Sequence, residues 1–408
     1  MKKTKSIIFI AVSAFLLMGC GGKSSHIKDG KLSKSGEKTD LTTQDGQKKL
    51  KSQLDSVQNA YKDLKFESFG ATLTASNVNY AVKADVDIKQ IGKIEADVGL
   101  KDFGGKVEFK AAKNGKNVDA SLSSQSTGGT LSVKGTLPGK DGKSNAKIDT
   151  TLSMKGIKAD LYLQGSKVYA DLSNSGNETF VKNTETFVNK FMDQFSETMF
   201  GTYLQYLGEV EELAPFYDAK TNHFKLVETY NKYLPEKKIA VDMGQPLEWP
   251  EIPTDVLANY SVDAETIAMV AQYLAQMKID FSLTTYKAGD YGFEIAINKD
   301  SIKTILNMAG APSEVMSSVD KILTKCSFNA AAYFNKENLL EEVGFAMDLE
   351  AAVTDSVLKT LGAQPEEMFN KFEVSGSSKC SLLLKLQYEN VKVSFPSFND
   401  YKVMSLGY

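Results

Sequence analysis

Three cysteines, two histidines and scattered serine–lysine pairs are the residues of this chain whose types and spacing could support covalent, metal or acid–base chemistry. Gly142-Lys143-Ser144 matches the end of a phosphate-binding loop, but that pattern requires glycine where Leu137 stands, and a hairpin turn surrounds it. Ser318-Val319-Asp320-Lys321 fits the Ser-x-x-Lys of penicillin-recognising enzymes, yet no Lys-Thr-Gly or Ser-Asp-Asn accompanies it. All 48 cationic side chains are lysine, so such tetrapeptides arise by chance, and the bidentate guanidinium fork for phosphate or carboxylate is absent. His26 and His223 stand alone, each in a polar stretch, and two histidines with three cysteines cannot build a His- or Cys-rich metal centre. The expectation is a protein that is not an enzyme, with no cofactor and no metal. A formal charge of −3 offers no basic field, so nucleic acid is not an expected partner.

Cys20 is the residue with a chemical assignment. Lys2, Lys3 and Lys5 precede an apolar run from Ser6 to Met18, the length of an export-signal core and too short to span a bilayer. Leu17-Met18-Gly19-Cys20 resembles the bacterial lipobox, with Met18 a departure from the commoner small residues at its place. The resemblance implies a signal peptide over 1–19, diacylglycerol and palmitate on Cys20, and a lipid anchor at the extracytoplasmic face of the cell membrane, where two acyl chains hold a protein that one would not.

Residues 20–46 carry only Ile27, Leu32 and Leu41 as sizeable apolar groups, which predicts a flexible tether with a mean reach of about 28 Å. A unit over 47–214 follows. Leu50, Leu54, Val57, Tyr61 and Leu64 recur at helical spacing. From Phe66 to Leu172 the period changes to two, as in Tyr80-Val82-Ala84-Val86-Ile88, with turn residues at Gly104-Gly105, Asn114-Gly115 and Asp141-Gly142. About nine strands in one antiparallel meander, wet on one face, are expected. Sheets of that size curl. The filler of the curl is a helix bearing Phe187, Phe191, Phe195 and Met199 at steps of four. These four either pack as core or line a cavity for acyl chains.

Residues 215–253 hold five of the nine prolines and the single Trp249, and read as a crossover. Residues 254–408 alternate helical stripes with strands, as a second α+β lobe or a continuation of the same sheet. Lys325-Cys326-Ser327 and Lys379-Cys380-Ser381 begin two strands alike. Outside the cytoplasm Cys326 and Cys380 are disulfide candidates, with about 4 kcal/mol to gain from the closed loop; the alternative is two small buried thiols.

The fold class that emerges is α+β: a large curled antiparallel sheet, a half-barrel, with amphipathic helices on its concave face. Residues 48–210, including Gly165-Ser166-Lys167-Val168-Tyr169-Ala170-Asp171-Leu172, resemble in layout the LolA/LolB lipoprotein carriers and the LppX-type mycobacterial lipoproteins. That resemblance implies a hydrophobic cavity between sheet and helices holding a lipid or other apolar ligand. The competing expectation is a cell-surface scaffold with a solid core and no ligand. A solute-binding protein of two parallel-sheet lobes fits the meander least.

Overall fold

The computed structural model describes residues 25–112, 114–248, 262–389 and 391–404. The leader, Cys20, and Trp249 with Pro250 and Pro253 lie outside these residues. The expected tether is corrected from Ser25 onward. Strands β1 (Ile27–Lys28) and β2 (Lys31–Leu32) form a hairpin, and β3 (Glu37–Asp40) pairs with a strand far along the chain. The few apolar residues of this polar stretch explain the difference, because Ile27 and Leu41 are each only 2% exposed. Composition averaged over the segment hides anchors so sparse.

Thr43 caps helix α1 (Gln44–Asp63) by accepting from the Gly46 N–H. Six strands follow, the first three of 20 or 21 residues: β4 (Ser68–Ile88), β5 (Gly92–Ala112), β6 (Asp119–Pro138), β7 (Asn145–Ser153), β8 (Lys158–Gln164) and β9 (Lys167–Asp171). The count of nine is corrected. Gly104 and Gly105 sit inside β5, opposite Gln125 and Ser124 of β6, and form no turn. The register slips between Ala75 and Tyr80, where Asn77 (φ 53°) and Asp102 (φ 46°) are left-handed. Such bulges reset the phase of the alternation while the strand continues, so one strand reads in sequence as two.

Asn174 caps helix α2 (Ser175–Ser196). A 3-10 segment (Gly201–Glu209) follows, and a small hairpin of β10 (Tyr217–Asp218) and β11 (His223–Phe224), helix α3 (Leu226–Tyr233) and strand β12 (Lys238–Asp242) lie within the expected crossover. Beyond it come α4 (Ala264–Gln276), the hairpin β13 (Asp280–Thr285) and β14 (Tyr291–Asn298), then α5 (Lys299–Met308) and α6 (Ser313–Ile322). The chain closes with β15 (Leu323–Phe334), β16 (Leu340–Thr354), α7 (Asp355–Thr360), β17 (Phe369–Gln387) and β18 (Lys402–Met404).

The second half continues the sheet of the first. Fourteen strands join in the order β18-β12-β9-β8-β6-β5-β4-β17-β16-β15-β14-β13-β3, with β7 added on β6. β17 pairs with β4 over nearly its whole length, so the last long strand lies beside the first. All pairs are antiparallel except β12 with β18, and the sheet stays open.

Directly opposed residues share a face, which separates the two sides of the sheet. On one side Phe281, Leu283, Tyr291 and Phe293 pack under Leu50, Val57 and Tyr61 of α1 and Ile267 and Ala271 of α4. On that same side α2 lies over β7, where Thr150 Oγ1 donates to the Phe187 carbonyl at 3.3 Å and Gln194 bonds both backbone groups of Asp149. The other side carries the chain's two ends. Ile27 packs over Gly344, where a Cβ would stand 2.2 Å from Ile27 Cγ2, so only glycine admits the N-terminal segment. Phe398 stacks on Tyr169 at 3.7 Å, next to Tyr162 and Tyr401.

The helical layer is fastened to the strands by a buried ring of hydroxyls. Leu340 N–H donates to Tyr61 Oη (3.3 Å), Tyr388 Oη donates to the Leu340 carbonyl (3.2 Å), and the two phenols lie 2.5 Å apart. Burial raises the pKa of both phenols above the ordinary 10.0. Each therefore keeps its proton more tightly folded than unfolded. Their contribution to stability is constant below pH 10 and falls as pH rises beyond it, by up to about 1.4 kcal/mol per pH unit for each group. Thermal melts from pH 8 to 11 are expected to fall above pH 10 and to flatten in the Tyr61→Phe variant; equal slopes would show the ring carries no such linkage.

Candidate functional site

Two features of the sheet could receive a ligand. The first follows from where the helices stop. α1, α4, α5, α6 and α7 pack over β13 to β16, and α2 packs over β7. Among the described residues no helix packs extensively on β4, β5 or β6. The helical side of these strands is nonetheless apolar: Val82 opposes Val98 and then Leu131, Ala84 opposes Ala96 and then Val133, and Val86 opposes Ile94. These side chains are half-buried, and Ile94 (36%) and Tyr80 (47%) are exposed. With β17, four strands floor an apolar trough about 14 Å wide between the two helical walls.

The reverse of the same strands shows what a wet face looks like here. Lys83 pairs with Asp97 (3.7 Å), Lys93 with Asp85 (3.5 Å), and Lys371 with Asp85 (2.5 Å). The Lys371 ammonium holds the Asp85 carboxyl below its ordinary range. One face thus carries ion pairs in water; on the other, no described helix packs over the half-buried Val82, Val98 and Leu131, while nearer the cleft Ala71, Phe109, Ala111 and Val118 are at most 5% exposed.

The second feature is a cleft of about 850 Å³ at the end of the sheet where β16 begins and β17 ends. Leu64, Leu339, Leu386 and Tyr388 line it beside His26, Lys65, Asn335, Glu342 and Lys385. Glu342 is 4% exposed and sits 3.2 Å from Lys385 Nζ. Its other oxygen accepts from Ser25 Oγ (2.8 Å), the His26 N–H (2.8 Å) and the Ile27 N–H (3.0 Å). The His26 ring stacks on Tyr333 at 3.9 Å and 6°. His26, expected in a tether without a role, is part of a clamp on the N-terminal segment.

The residues singled out by spacing fall elsewhere. Phe191 and Phe195 stack on each other at 5.6 Å and pack with Met192, Leu204 and Tyr217 into a separate small core under the β10–β11 hairpin. Phe187 lies over β7. Met199 lies beyond the end of α2 and is 50% exposed. The four therefore do not line one cavity. The stripe breaks because the helix ends at Ser196, where the chain turns into a bridge between Gly139 and Thr198. His223 Nε2 meets Asp193 at 2.9 Å on the surface. Ser318 Oγ donates to the Glu314 carbonyl and Lys321 to Thr360, so the Ser-x-x-Lys pair serves helix contacts.

The disulfide expectation is corrected. Cys326 of β15 opposes Leu349, and Cys380 of β17 opposes Met347, with β16 lying between the two strands. Two strand spacings place the thiols roughly 10 Å apart, beyond the Cα separation that a disulfide closes. Both thiols are free, and burial raises the pKa of each. Alkylation in denaturant without reductant is expected to label both. A protein unlabelled until reduced would contradict the strand order.

Sequence reasoning missed Glu342, Lys385 and the hydroxyl ring. A lone acid at a strand start carries no local signal, because Lys385 lies 43 residues along the chain and the Ser25 to Ile27 donors more than 300 residues back. The alternation did mark the trough's floor, but it cannot tell a covered apolar face from an open one.

No protein-family profile matches the sequence, and no curated protein matches it. The solved structure of a beta-barrel-like protein of a domain of unknown function from Brucella abortus aligns with 80% of this chain and 100% of its own, at 10% identity and a TM-score of 0.12. A likeness so slight carries no argument about fold or function. No helix among the described residues is long and apolar enough to cross a membrane.

Proposed function

We propose that this protein is a lipid-anchored lipoprotein of the extracytoplasmic membrane face that binds or carries a lipid or other apolar ligand, and that it performs no catalysis. The observation that carries the reading is the apolar stretch of β4, β5 and β6 around Val82, Val98 and Leu131, over which no described helix packs, while the reverse face carries ion pairs. In this reading the sheet curls toward its helices as a half-barrel, and the ligand's acyl chains lie along the strands over Val82, Val98 and Leu131. Each methylene removed from water contributes roughly 0.8 kcal/mol, so one long chain suffices for micromolar affinity after association costs.

The ligand site differs from the one that spacing alone suggested. The aromatic residues of α2 build the wall's own core, and the floor of the strands receives the ligand. Recognition of a phosphate headgroup would fall to lysine ammonium or backbone N–H groups, since the chain has no arginine. A soluble form beginning at Gly21 is expected to take up a fluorescent phospholipid from vesicles saturably, at one lipid per chain. Uptake that never saturates, or none, would favour a scaffold with a solid core.

A further inference from the structure

The clamp on Ser25 to Ile27 has a consequence for how the protein meets the membrane. It rests on the reading that Cys20 carries the acyl chains. From Ser25 onward the chain is fixed to the sheet: Glu342 holds Ser25, His26 and Ile27, His26 lies flat on Tyr333, and Ile27 is 2% exposed above Gly344. The five residues from Cys20 to Ser25 cannot reach farther than about 18 Å even when fully extended. The free tether of about 28 Å mean reach is therefore replaced by a short lead ending at one defined place on the body.

That place is one end of the sheet. β16 begins and β15, β17 and β5 end there, and Asn335 to Leu339 turn the chain between β15 and β16 beside the cleft. The opposite end, with Lys89 to Ile91 and Gly139 to Ser144, lies a full strand away. β4 alone has 21 residues, roughly 65 Å at the rise of a strand.

We propose that the cleft end of the sheet is held against the bilayer surface, with the strands leading away from it, so that the surface's partner is the membrane itself. At that end Leu64, Leu386 and Tyr388 border the cleft, and the helical side of the strands beside it is packed, with Ala71, Phe109, Ala111 and Val118 each at most 5% exposed.

The test uses the full lipidated chain in phosphatidylglycerol–phosphatidylcholine vesicles carrying an acceptor dye on the headgroups. Donor dye is placed at Lys336→Cys, near the cleft, or at Lys143→Cys, at the far end, with Cys326 and Cys380 replaced by alanine. Energy transfer is expected to be at least threefold stronger from position 336. Equal transfer, or stronger transfer from 143, would overturn the orientation. A Gly/Ser insertion of twelve residues between Gly22 and Lys23 leaves the fold untouched and lengthens the lead. It is expected to weaken transfer from 336 and narrow the contrast, and an unchanged contrast would show that the clamp does not orient the protein. Mass measurement of Cys20 and flotation with the vesicles separate the two readings: lipidated, floating protein with equal transfer removes only the orientation, whereas unlipidated protein that does not float removes the anchor and the orientation together.

Discussion

Glu342→Ala is expected to lower the unfolding free energy by about 3–5 kcal/mol, the usual cost of removing one partner from a buried ion pair. The size follows from what the substitution strands. Lys385, with only 15% of its side chain exposed, loses its ion-pair carboxylate, and the Ser25 hydroxyl and the His26 and Ile27 N–H groups lose the acceptor they share. Weakening a buried charge's pairing and removing an acceptor from a buried N–H each carry a desolvation penalty. Glu342→Gln keeps an acceptor for the N–H groups but not the charge, and should fall between wild type and alanine. Urea unfolding measures all three. A loss below about 1 kcal/mol in the alanine variant would mean that water already serves these groups.

Val98→Asp is expected to weaken apolar ligand binding at least a hundredfold. Val98 lies between Val82 and Leu131 at the middle of the trough, where a carboxylate would lie under the acyl chain. Desolvating that charge costs several kcal/mol, and 2.7 kcal/mol already gives two orders of magnitude. Since Val98 is only half-buried, the empty protein can hydrate the new charge and remain folded. Ser132→Asp is the matched control, one residue along β6 from Leu131 and therefore on the ion-paired face. Equal loss from both variants would place the effect in the fold rather than in the trough.

How much of this was legible in the sequence follows from the range of each signal. Strict alternation in Tyr80 to Ile88 and Ile94 to Leu100 is local, and it gave the antiparallel sheet and its wet face. The helical spacing of Leu50, Val57 and Tyr61 gave α1 and its buried side. Where bulges at Asn77 and Asp102 shift the phase, the same local reading split long strands in two. Pairing of β17 with β4 joins residues some 300 positions apart, and no periodicity reports it. The clamp was misread for the opposite reason: Ile27 and Leu32 are too few to mark a core by composition, yet they fit over Gly344 and Gly292. Phe187, Phe191 and Phe195 show the limit of a clean stripe, which establishes that a face is buried and leaves open what buries it.

The central claim, that the open apolar face holds a lipid, is tested most directly by native mass spectrometry with organic extraction. The protein is expressed from Gly21 so that the clamp is kept. The account predicts a discrete added mass that extraction removes and identifies as a lipid, and that Val98→Asp abolishes while Ser132→Asp does not. A clean unliganded mass, unchanged after incubation with membrane lipids, would contradict it.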